Sequence, residues 1–129
     1  MPAVLSGSKE LVKMWSIYLT PERRPATTNA WRPPVDVYRK GNGWLLKFDL
    51  AGVRAQDVRV RVGGSRVTVT GIRKDWVVEE GYHYHSMEIS YNRFERTVEL
   101  RGDLSNAEFS LEARDGLLLV RVEPSQQEG

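Results

Sequence analysis

The 129-residue chain predicts an all-β fold, an antiparallel β-sandwich preceded by a short amino-terminal arm. Three observations predict it. From Val35 to Val122 apolar and polar residues alternate with a period of two, which gives each segment one dry face and one wet face. Turn residues rich in Gly, Asn and Asp separate these segments at short intervals. Helical periodicity is almost lacking in the same stretch.

The elements follow in order. Val35 to Arg39 alternates and runs into Gly41-Asn42-Gly43, a hairpin turn where positive φ costs little. Trp44 to Leu50 is the returning strand, closed by Ala51-Gly52. Val58, Val60 and Val62 then alternate with Arg59 and Arg61. Gly63-Gly64-Ser65 turns the chain into Val67-Thr68-Val69-Thr70, which Gly71 stops. Arg93 to Leu100 repeats the pattern. Phe109 and Leu111 predict a short strand, Asp115-Gly116 a tight turn, and Leu117 to Val122 the last strand.

This divides the chain into an arm over residues 1–30, the sandwich over 31–122 and a polar tail over 123–129 whose composition predicts disorder. The arm reads in two ways. Ser8 to Leu19 is a short helix capped by Ser8, with Leu11, Trp15, Tyr18 and Leu19 on one side, or an extended segment in which Trp15, Ile17 and Leu19 alternate. Between Arg73 and Arg93 lies a connection too long for a plain hairpin. Its Tyr82-His83-Tyr84-His85 alternates like a strand, and a strand set inside a long loop is expected to pair with a second subunit.

Composition excludes several classes of function. Without cysteine there are no disulfides and no thiolate metal sites. A formal charge of +2 does not predict a nucleic-acid partner, which would need a stripe of unopposed Lys and Arg. No apolar run is long enough for a membrane span and no leader is visible, so the expected location is the cytoplasm. Arg54, Arg59, Arg61, Arg66, Arg73 and Lys74 are opposed only by Asp57 in one stretch, and the next carries Asp75, Glu79, Glu80, Glu88, Glu95 and Glu99 against Arg93 and Arg96. Such runs read as the outward faces of neighbouring strands that attract one another.

Catalytic groups are scarce. His83 and His85 share one face of a strand, but a third metal ligand at usable spacing is not apparent. Ser86 beside His85 lacks an orienting acid, and Gly63-Gly64 joins two strands without the Lys and helix of a phosphate loop. No enzyme, metal or cofactor is expected.

In order and spacing, these segments resemble the small heat-shock protein (Hsp20/α-crystallin) family across nearly all of Trp31 to Val122. The resemblance rests on Trp31-Arg32-Pro33-Pro34-Val35-Asp36-Val37-Tyr38, on Asp49-Leu50-Ala51-Gly52-Val53 with alanine where the family has proline, and on Asp57 to Val62 followed by Val67 to Lys74. It continues through Glu79-Glu80-Gly81, Tyr91 to Arg96 and Asp115 to Val120. Leu111 stands where the family has alanine, and Leu100-Arg101 replaces Leu-Pro. The family's Ile-x-Ile/Val tail motif has no counterpart after Val122, so large shells built by tail docking are not expected.

The resemblance implies an immunoglobulin-like sandwich and an ATP-independent holdase that keeps unfolding client proteins from aggregating under stress. Client contacts are expected from Leu11, Val12, Met14, Trp15, Ile17 and Leu19 of the arm. They are also expected from a groove between strands 58–62 and 109–113, lined by Val58, Val60, Val62, Phe109 and Leu111; the competing reading is that these residues fill the core. Ile17 and Leu19 have the spacing of the missing docking motif, so an extended arm is expected to occupy that groove. The resemblance also implies a homodimer, with higher oligomers beyond it, in which Tyr82 to Ser86 crosses to the first strand of a partner. Val35, Val37, Tyr82, Tyr84 and Arg96 are the matching interface positions. Arg96 alternatively is an outward arginine paired to a carboxylate such as Glu88. The alternative function is a p23/CS-type adaptor acting on a larger chaperone, against which the long 74–92 connection argues.

Overall fold

A computed structural model describes residues 3–5, 16–18, 30–76 and 79–124. Among the described residues nine strands run in chain order: β1 (Ala3–Leu5), β2 (Ser16–Tyr18), β3 (Val35–Lys40), β4 (Gly43–Asp49), β5 (Val58–Gly63), β6 (Arg66–Arg73), β7 (Asn92–Glu99), β8 (Glu108–Arg114) and β9 (Leu117–Glu123). A 3-10 turn, Ala55–Asp57, leads into β5. No helix among the described residues is long and apolar enough to cross a membrane.

The strands form two sheets, ordered β1-β8-β9-β4-β3 and β2-β5-β6-β7. Alternation decides which side chains meet between them. In the larger sheet one buried row runs through Leu111, Val120 and Leu46 to Val37; in the smaller, Val60, Val69 and Arg96 share a row. Leu46, Val60, Val69, Leu111 and Val120 are fully buried and join one core with Phe48, Phe94 and Val122.

Two positions need glycine for different reasons. Asp115 and Gly116 both have positive φ, +50° and +83°, the geometry of a two-residue hairpin whose twist matches its strands. Gly71 lies in the middle of β6, where a Cβ would collide with the Asp57 carbonyl oxygen and come within 2.6 Å of the Phe94 ring. Gly71 therefore does not stop this strand. The Phe94 ring lies over the position where its side chain would be, and β6 continues to Arg73. Gly63 likewise ends β5 instead of starting the turn, which is Gly64-Ser65.

The outward faces carry the expected opposite charges in part. Arg66 on β6 is paired directly with Glu99 on β7 and bonds it at 3.1 Å. The Ser65 hydroxyl and the Arg66 guanidinium together hold the Glu99 carboxyl below its usual pKa. Glu112 is held down in the same way, by Arg114 first and then Arg121. Pairs this exposed contribute little stability.

Candidate interaction site

A two-layer sandwich has two open sides, and the loops show which edges share a side. Trp31 pairs with Phe94 on the outer edge of β7, through Trp31 N to Arg93 O at 3.1 Å and Glu95 N to Trp31 O at 3.0 Å. Four residues later the chain starts β3. The edges of β7 and β3 therefore lie on one side, and those of β5 and β8 on the other.

On the β5/β8 side, the arm supplies a strand to each edge. Ser16–Tyr18 runs parallel to β5 with Ile17 in register with Val60, and Ala3–Leu5 runs antiparallel to β8 with Leu5 opposite Phe109. Over Ser16–Tyr18 the segment is a strand and not the end of a helix from Ser8. A helix of this length is marginal in isolation, whereas an extended segment pairs with the β5 edge. Leu11, Val12, Met14, Trp15 and Leu19 lie outside the described residues, as does the tail from Ser125. Val58, Val60, Val62, Phe109 and Leu111 all belong to the buried core, so they line the β5 and β8 edges from within. The strand at Ala3–Leu5 is not foreseen from sequence; its one signal is the short apolar run Ala3-Val4-Leu5.

On the β3/β7 side, β3 carries no neighbour on its outer edge among the described residues. Val37 continues the buried row of Leu46 and Val120 but is 43% exposed, and Tyr38 beside it is 45% exposed. Val35 is half-buried. The long loop holds Tyr82 and Tyr84 out in solvent at 71% and 82% exposure, with Ile89 at 62%. No strand forms in its described residues within the single chain.

Arg96 departs from one of its two sequence readings. It sits opposite Val69, which puts it on the inner face, and its Nη1 donates to the Pro33 carbonyl at 3.1 Å; the reading as an outward arginine paired to Glu88 is corrected. Its Nε is buried without an acceptor among the described residues. Such a donor costs roughly 1–3 kcal/mol until an acceptor reaches it.

The Hsp20/alpha crystallin family model matches residues 36–129, and the chain belongs to that family. Among its relatives, small heat shock protein C2 of Rickettsia felis is 22% identical over 97 residues, covering 75% of this chain and 62% of the relative. The 17.9 kDa class II heat shock protein of Helianthus annuus is 31% identical over 91 residues, covering 70% and 57%. The chain thus spans less than two thirds of the length of these relatives. HSP18.5 from E. histolytica superposes with a TM-score of 0.62 at 22% identity, over 78% of this chain and 95% of that one. The hspA crystal structure from Xanthomonas axonopodis gives 0.61 at 24% identity, over 76% and 98%. Both share the fold: two packed β-sheets.

Proposed function

We propose that the chain is an ATP-independent holdase of the cytoplasm that binds partly unfolded proteins and suppresses their aggregation, without catalysis. The observation that carries this reading is the occupancy of the β5 and β8 edges by arm strands of only three residues each. A sheet edge binds any extended segment through its backbone, and apolar neighbours select for alternating apolar side chains. Pairings this short are replaceable by the extended apolar segments that an unfolding protein exposes. Leu11, Val12, Met14, Trp15, Ile17 and Leu19 then contribute client contacts once the arm is displaced, large adaptable side chains being suited to unrelated partners. Binding is passive and follows mass action on the exposed states.

The working unit is a homodimer in which Tyr82 to Ser86 adds to the partner's β3, with higher oligomers built from it. Val37 supports this, because a buried row that runs out half exposed at an open edge gains from being covered. Val35, Tyr84 and Arg96 join Val37 and Tyr82 at that interface.

Replacing Trp15, Ile17 and Leu19 together with serine tests the arm. The expected result is an unchanged far-ultraviolet spectrum and a several-fold loss of protection for a heated client protein. Full protection with an unchanged fold would remove the arm from client binding.

A further inference from the structure

The 74–91 loop leaves and rejoins the sandwich through two aromatic–arginine contacts that share one anchor, the Ala51-Gly52 turn. At the outgoing root, Trp76 Nε1 donates to the Gly52 carbonyl at 3.1 Å. The Arg54 guanidinium lies 3.9 Å from the centre of the same indole. At the returning root, Arg73 does three things at once. Its Nε donates to the Ala51 carbonyl at 3.0 Å, its Nη1 to the Ser90 carbonyl at 2.8 Å, and its guanidinium lies 4.2 Å from the centre of the Trp31 ring. Trp31 Nε1 in turn donates to the Asn92 carbonyl at 3.3 Å.

These contacts are unusual for what they hold. Trp76 is 47% exposed and lies outside every strand, so it does little for the core. A half-exposed tryptophan whose ring face and N–H are both engaged is fixed in place, and with it the chain leading into the loop. We propose that Trp76 with Arg54, and Arg73 with Trp31, are positioning clamps that aim the loop so that Tyr82 to Ser86 reaches a second copy's β3 already oriented. The inference rests on the exchange dimer proposed above.

The physical reason is preorganisation. Adding residues to a flexible loop costs little, so length is not what the clamps control. Ordering the backbone of one residue, however, corresponds to roughly 5- to 30-fold in an equilibrium constant. With Trp76 and Ser90 held to the sandwich, Lys74–Trp76 and Ser90–Tyr91 are ordered before the partner arrives. Without the clamps, dimerisation must order them, and each dimer contains two such loops.

The test uses the full chain and analytical ultracentrifugation, with the thermal midpoint measured beside it. Trp76→Ala is expected to raise the dimer dissociation constant by about tenfold to a hundredfold, with the midpoint within a few degrees of native. Trp76→Phe keeps a ring beneath Arg54 and loses the N–H bond, so it should fall between the two. Arg54→Ala removes only the stack, and carries the test if Trp76→Ala does not fold. A native dissociation constant in the folded variants would overturn the proposal, as would loss of dimer in step with loss of sandwich stability. A native chain that is monomeric at micromolar concentration would instead overturn the exchange dimer itself, and the clamps' role with it.

Discussion

Gly71→Ala is expected to lower the thermal midpoint by on the order of 10–20 °C, the shift that about 3 kcal/mol produces in a domain of this size. The added Cβ meets the Asp57 backbone oxygen on one side and the Phe94 ring, 2.6 Å away, on the other. Overpacking typically costs 1–3 kcal/mol; here one of the two neighbours is backbone and cannot rotate away. Relief requires moving either the Ala55–Asp57 turn that launches β5 or the Phe94 ring that packs on Trp31 at a centroid distance of 5.3 Å. Calorimetry of the single variant checks this, and a midpoint within 2–3 °C of native would show that the packing around Gly71 gives way easily.

The second large effect concerns assembly. Tyr82→Pro with Tyr84→Pro is expected to turn the dimer into monomers at micromolar concentration, because each proline removes a backbone donor from the exchanged strand. Both tyrosines are solvent-exposed and belong to no strand of their own chain, so the thermal midpoint should stay within a few degrees. Sedimentation velocity reads the outcome. A variant that remains dimeric would move the contact away from residues 82–86, and Val37 would then need another explanation.

Much of the fold was legible because alternation is a strong signal wherever one face is buried. Val58, Val60 and Val62 alternate with Arg59 and Arg61, and the apolar face they share is the one the sandwich buries; alternation alone did not say whether that face filled the core or lined an edge groove. Glycine misled at Gly63 and Gly71, since a glycine inside a strand and one in a turn look alike in a sequence. What separates them at Gly71 is the Phe94 ring, 23 residues further along the chain. Arg96 misled for a similar reason. Charge argues for an outward position, but register with Val69 places it inward at an edge strand, where it reaches the Pro33 carbonyl.

The interaction site was less legible than the fold. Ser16–Tyr18 carries both a helical and an extended pattern, and only the availability of the β5 edge decides between them. The same holds for Tyr82-His83-Tyr84-His85, whose alternation finds no strand partner among the described residues of one chain. Trp76 and Arg73 gave no warning at all, because cation–π stacks and bonds to turn carbonyls leave no periodic trace in a sequence. Local pattern reports on burial; it does not report which edge a segment will meet.

A passive holdase keeps unfolding proteins in solution without consuming a nucleotide. Light scattering of a heat-labile client, warmed alone and with increasing amounts of the full chain in nucleotide-free buffer, tests for this most directly. Scattering is expected to fall as the ratio of chain to client rises, with client and chain then eluting together in a soluble complex larger than either. Scattering that is unaffected at a several-fold molar excess, with the chain eluting free of client, would contradict it.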